Sequence, residues 1–325
     1  MIGRIVEIAE DGRYLHAYRG FLIVECKGEE VGRVPLDDIA AVIGNAHGLI
    51  YSNNLLVALA EREVPFVLCG NNHKPVGMLW PLEGHHRQSA RMDTQLAASL
   101  PLRKRLWQQV VRAKLCWQAD TLAQTGQNPG LILGLLPKVR SGDPANIEAQ
   151  AARRYWSRLL GKGFQRDTDG TGLNSLLNYG YTVLRAAVAR GVIAAGLHPG
   201  LGLHHHNQYN TMRLVDDLME PYRPCIDLAV WRLQQKESLE LDADTKKHLA
   251  HVIYQDFTTD YGTTPLIAAL QRLAFSLSQV YCKETSQLEI ALPNRHDAVN
   301  DLPEWVSDDV DDGDVRPARG GGPRT

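Results

Sequence analysis

Residues 101–115 read PLRKRLWQQVVRAKL, and their spacing decides the fold class. Leu102, Leu106 and Val110 recur every four residues, as do Val111 and Leu115, which places them on one face of a helix. Arg103, Lys104, Arg105, Arg112 and Lys114 fall between them and read as the solvated side. Before residue 87 the pattern is different. RIVEIA (4–9), YLHAYR (14–19), FLIVECK (21–27), VGRVPL (31–36) and IAAVIG (39–44) alternate or cluster β-branched residues, with turn signals at Asp11–Gly12 and Gly28–Glu30. One short helix interrupts the strands at NNLLVALAERE (53–63), with Ser52 placed to cap it; PFVLC (65–69) and KPVGMLW (74–80) then resume the strand pattern.

The predicted class is α+β. An N-terminal β-rich domain with one short helix spans 1–86, and a larger all-α catalytic domain spans 87–293. An acidic, disordered C-terminal tail spans 294–325, where seven carboxylates from Asp301 to Asp314 precede RPARGGGPRT and few apolar residues are present to offset chain entropy. Within the helical part, residues 173–197 read as a long buried helix ending in the glycine- and proline-rich loop GLHPGLGLHHHNQYN.

Composition narrows the function. Five cysteines are scattered without a C-x-x-C pair, which argues against a disulfide framework or a structural zinc site and fits a reducing cytoplasm. The N-terminus lacks the apolar core of a signal peptide, and no apolar run reaches the ~18 residues of a spanning helix, so no membrane association is expected. The formal net charge of −2 conceals an uneven distribution. Residues 87–166 carry 14 Lys and Arg against four carboxylates, leaving 21 against 33 in the rest of the chain. Such a locally basic stretch attracts phosphates whatever the global charge, because screening confines the field to about 8–10 Å.

Three separated stretches carry groups suited to a divalent cation. Glu148 lies in NIEAQAARRYW, His205 in GLHHHNQYN, and Asp217 and Glu220 in LVDDLMEPYRP. Carboxylates with one imidazole suit Mg²⁺ or Mn²⁺, since hard cations prefer oxygen and manganese accepts nitrogen. Asp143–Pro144 signals a helix start, which puts Glu148 in the first turns with Ala151, Ala152 and Tyr155 on its face. Asp217 and Glu220 share a face of a short helix that Pro221 and Pro224 are expected to stop. An acidic pair at a helix C-terminus is disfavoured by the dipole and calls for a cation or Arg223. Each motif alone has a plainer reading: a first-turn glutamate complements the helix dipole, and a loop of histidines is ordinarily surface. No P-loop, nucleophile elbow or dinucleotide fingerprint competes.

Taken together, these blocks resemble CRISPR-associated protein one, the integrase subunit that inserts spacers into CRISPR arrays, over roughly residues 1–290. DDLMEPYRP is the most specific block, and its spacing from GLHH resembles the forms from type II systems. The resemblance implies Glu148, His205 and Glu220 as catalytic metal ligands, with Asp217 as a supporting carboxylate or a ligand of a second metal. It implies Asn178, Tyr181, Arg185 and Arg223 as active-site support. It also implies a protospacer 3′-hydroxyl attacking a repeat phosphodiester, which needs no protein nucleophile. Arg153, Arg154, Arg103, Lys104, Arg105, Arg112 and Lys114 are the candidates for holding phosphates of double-stranded DNA. Implied partners are a second copy of the chain and the small CRISPR-associated protein two. Two alternatives use the same residues: a metal-dependent endonuclease hydrolysing branched DNA, and a non-enzymatic DNA scaffold.

Overall fold

Each alternating N-terminal segment folds as a strand. The computed structural model describes residues 4–70, 75–79, 81 and 85–293. It begins with β1 (Arg4–Ile8), β2 (Arg13–Tyr18), β3 (Phe21–Cys26), β4 (Glu29–Pro35), β5 (Ile39–Gly44), β6 (Ile50–Tyr51), α1 (Asn53–Ala60), β7 (Phe66–Cys69) and β8 (Pro75–Leu79). Strands β2, β3 and β4 form an antiparallel meander to which β6 adds parallel to β2. In the second sheet β1, β5 and β7 run parallel and β8 closes antiparallel to β7. The Ser52 hydroxyl accepts from the Leu55 amide at 3.2 Å, so the expected cap of α1 is present. Strand β5 is buried throughout, as a strand covered on both faces must be. It contributes Ile39 and Val42 to a small N-terminal core with Leu15, Leu22, Leu55 and Phe66, and Ala40, Ala41 and Ile43 to the larger core made mostly by helices.

The helical part comprises α2 (Gln88–Leu96), α3 (Leu100–Gln124), α4 (Gly130–Leu133), α5 (Ile147–Leu159), α6 (Leu173–Ala194), α7 (Arg213–Met219), α8 (Arg223–Gln235), α9 (Ala243–His251) and α10 (Leu266–Tyr281). It is not purely helical: β9 (Asp256–Thr259) and β10 (Gly262–Pro265) form an antiparallel hairpin. The β-branched threonines flanking Asp260–Gly262 carry that signal in the sequence. Two long helices organise the core, α3 with 25 residues and α6 with 22. Gly180 of α6 lies so close to α8 that a Cβ would overlap the Ile226 side chain. A glycine there lets the two backbones approach and brings the neighbouring Tyr181 onto α8.

Three local expectations are corrected. The cap of α5 is Asn146, whose side chain accepts from Ala149, with Asp143 one turn earlier accepting from the amides of Ile147 and Glu148 at 2.9 Å each. Both short acceptors serve the amides a helix start leaves open. Pro221 does end α7 in a tight turn over Glu220–Tyr222, whereas Pro224 opens α8 instead of stopping a helix. A proline in the first helical turn loses no bond, because that amide has no partner in the helix anyway. Finally, Lys114 is not on a solvated face. Its spacing of four and eight from Val110 and Leu106 puts it on the buried stripe, and Ala113 through Ala119 are buried all round.

Among the described residues no helix is long and apolar enough to cross a membrane. The acidic segment 294–325 lies outside the described residues.

Candidate active site

A cavity of about 160 Å³ opens between stripes of helical side chains. Lys114 and Gln118 face it from α3, Glu148, Ala152 and Trp156 from α5, Tyr181 from α6, and Glu220, Arg223 and Asp227 from the α7–α8 junction and α8, with Arg166 from the loop before α6. The spacing explains each stripe, since residues three, four, seven or eight apart share a helix face. Glu148 and Glu220 thus meet from elements far apart in the chain. Lys114 Nζ donates to Glu148 Oε1 at 2.5 Å and to Glu220 Oε2 at 2.6 Å, so those two oxygens lie within about 5 Å of one another. The Arg223 Nε donates to the other oxygen, Glu220 Oε1, at 2.8 Å.

The electrostatics follow from burial and pairing. Glu220 is buried, which by itself would raise its carboxyl, but Arg223 and Lys114 hold it well below the usual range and keep it ionised. Burial alone would pull the Lys114 ammonium down; Glu220 and Glu148 outweigh it and raise the group above its ordinary value. Removing Glu220 would leave Lys114 and Arg223 short of the carboxylate they share, whereas Lys114 keeps Glu220 when Glu148 is lost.

His205 arrives from a loop, not from a helix. Its Nδ1 is 2.6 Å from Asp217 Oδ1, and the fully buried Asp217 also accepts from the backbone amides of Leu203 at 2.6 Å, His204 at 3.1 Å and His205 at 3.3 Å. That hydrogen bond raises His205 against the opposing effect of burial, with the Asp217 and Glu220 charges adding to it. Gly202 is needed for this approach, because a Cβ would stand 2.8 Å from Asp217 Oδ2. With Nδ1 engaged, Nε2 is the nitrogen left for a ligand, the arrangement by which a carboxylate orients a metal-binding imidazole. The flanking His204 instead stacks on Trp107 at 4.3 Å, and burial lowers it.

The donor set fits a hard cation in kind. Two carboxylates converge on one positive centre, and Gln118 Oε1, buried at the same cavity, has no hydrogen-bond partner among the described residues. The structure does not gather three donors tightly: among the described residues no three His, Cys, Asp or Glu side chains are grouped as for a metal ion. Glu148 and Glu220 are brought together, whereas His205 is not among the residues lining their cavity and is linked to Glu220 only through the effect of each charge on the other.

Of the supporting candidates, Arg223 and Tyr181 line the cavity, and the Arg223 guanidinium lies 4.6 Å from the centre of the Tyr181 ring. Asn178 sits one step outside, accepting from Arg166 Nη2 at 2.5 Å. Arg185 turns away to Asp216, at 2.7 and 3.1 Å, and lines a different cavity. Among the phosphate candidates Lys104, Arg105, Arg153 and Arg154 are exposed, while Arg103 and Arg112 are half-buried and Arg112 donates to the Val139 carbonyl at 3.4 Å.

Sequence reasoning missed Asp227. It is buried, it accepts from Tyr155 at 3.0 Å and from Tyr181 at 2.5 Å, and burial pushes it up to about 7 despite both hydroxyls and the nearby cations. Its signal was the seven-residue step from Glu220, two helical turns along one face.

The family model described as "CRISPR associated protein Cas1" matches residues 6–260. The chain is 36% identical over 288 residues to the CRISPR-associated endonuclease Cas1 of Neisseria meningitidis, covering 87% of this chain and 94% of that protein. Among solved structures it superposes on a casposase bound to integration product with a TM-score of 0.74 at 18% identity, covering 88% of this chain and 92% of that one. It also superposes on a Cas6-RT-Cas1–Cas2 complex with a TM-score of 0.69 at 19% identity, covering 88% of this chain and 36% of that one.

Proposed function

The chain belongs to the CRISPR-associated Cas1 family of endonucleases and integrases, and from that premise we propose that it joins protospacer DNA to a CRISPR repeat by transesterification. The convergence of Glu148 and Glu220 on a single positive centre, inside a cavity walled by Arg166 and Arg223, carries the reading. In the proposed step the donor 3′-hydroxyl attacks a repeat phosphodiester, a new P–O bond forms, and the repeat 3′-oxygen leaves. Glu148, Glu220 and His205 would hold Mg²⁺ or Mn²⁺, which when bound supplies Lewis-acid polarisation of the phosphate and stabilises the leaving oxygen. The remaining work belongs to the chain. Asp217 fixes the imidazole with Nε2 free, Arg223 holds Glu220 ionised, and the exposed Lys104, Arg105, Arg153 and Arg154 hold DNA by its phosphates without reading sequence.

A homodimer joined by the Cas2 partner is the assembly we propose, in line with the Cas1–Cas2 complex among the structures of like fold. Hydrolysis is the second reading, favoured by the endonuclease name of the curated relative; the same groups would serve with water as the nucleophile. Purified protein with its Cas2 partner, Mg²⁺ or Mn²⁺ and a repeat-bearing plasmid separates the two. A donor ending in a dideoxy 3′ terminus should give no joined product, and products joined through that blocked end would overturn transesterification. Cleavage without joining when the donor is unblocked would favour hydrolysis.

A further inference from the structure

Lys114 is the cation that the described structure places between the two carboxylates, and that has consequences for any other cation. Glu220 presents no oxygen free of positive charge: Oε2 faces Lys114 at 2.6 Å and Oε1 faces Arg223 at 2.8 Å. Glu148 gives Oε1 to the same ammonium at 2.5 Å. The lysine itself is buried, so water screens its charge only weakly, and among the described residues it is hydrogen-bonded to no other carboxylate. A divalent ion brought to these oxygens with Lys114 in place would sit within a few ångströms of an ammonium in a poorly screened site, a strong repulsion.

We propose that Lys114 is a built-in counter-ion that holds Glu148 and Glu220 together before a divalent cation binds and must leave at least one of them when it does. The inference rests on the proposed metal reading and deepens it. Lys114 therefore sets two properties in opposite directions: it stabilises the metal-free fold and it weakens metal affinity. It is a positioning residue that acts through the two glutamates.

The test uses the full chain at fixed pH, with Mn²⁺ affinity from calorimetry and melting temperature with and without Mn²⁺. Lys114→Met keeps the stem and removes the charge. It should melt lower than wild type without Mn²⁺, bind Mn²⁺ about tenfold tighter or more, and gain more melting temperature on Mn²⁺ addition. A Lys114→Met protein that folds only when Mn²⁺ is present would support the same conclusion. Unchanged or weaker Mn²⁺ binding in Lys114→Met overturns the proposal. Lys114→Arg keeps the charge and carries the test independently of that variant's folding: it should bind Mn²⁺ no tighter than wild type, and tighter binding would overturn the competition. Glu148→Ala with Glu220→Ala separates the two levels. If this pair leaves wild-type Mn²⁺ binding intact, it is the metal reading of these glutamates that fails.

Discussion

The two halves of the candidate site are built differently. Glu148 and Glu220 stand on helical elements, converge on one buried ammonium, and are locked by Lys114 and Arg223. His205 stands on a loop between α6 and α7, its side chain 40% exposed, and a single carboxylate ties both its ring and the local backbone in place. The helical half is held by linked charges, with Lys114 shared by both carboxylates and Glu220 shared by both cations. The loop half is positioned by one residue, Asp217, and is correspondingly easier to move.

The largest test of this difference is Glu220→Ala. It leaves Lys114 and Arg223 facing one another without their shared carboxylate, and loss of a partner from a buried pair costs on the order of 3–5 kcal/mol. Urea unfolding should show that loss, while Glu148→Ala, whose side chain is 26% exposed, should lose clearly less. Equal losses would mean that the carboxylates are not held as unequally as their burial implies.

Asp217→Ala comes next. It strands three backbone amides and the His205 ring at once, and about 2–3 kcal/mol should be lost. His205→Ala should leave stability almost unchanged and yet damage joining far more than His204→Ala or His206→Ala. Equal effects across the three histidines would shift the candidate ligand to another position in the triplet.

Asp227 gives a pH signature. Its folded-state value near 7, above the ordinary 3.8, means the carboxyl is favoured protonated in the fold. The stability that proton contributes is complete below the unfolded value and is lost as pH rises through about 7. Asp227→Asn removes the titration, so it should exceed wild type by roughly 1–2 kcal/mol at pH 8 and lose most of that advantage at pH 5. A gap independent of pH between those values would show that Asp227 titrates elsewhere. The smallest effect is expected at the surface. Lys104→Ala and Arg105→Ala should each weaken DNA binding evenly across sequences and lower the salt slope by about one.

The sequence made regular elements and chemical type legible, and tertiary neighbours largely hidden. The period-two segments and the Ser52 cap were readable because strand alternation and capping are local. The start of α5 lies three residues beyond the Asp143 signal, since Asp143 and Asn146 are both good acceptors and both are used. At Lys114 two signals conflict: residue type suggests solvent, while its spacing from Leu106 and Val110 places it inside. Its partners lie 34 and 106 residues away, beyond any local pattern. The hairpin of β9 and β10 stands out little in the sequence because it is short and sits among helices.

The most direct test of the central claim, that the helix-borne carboxylate pair is the reaction centre, is strand transfer by Glu148→Gln measured beside its DNA affinity. Glu148 is chosen because its partial exposure spares the fold, and the amide keeps the shape while removing the charge. Joining should fall by about a hundredfold or more, with DNA affinity within about twofold of wild type because phosphates are held by the outer basic residues. Joining that survives the substitution, or that falls only in step with DNA binding, would contradict the account.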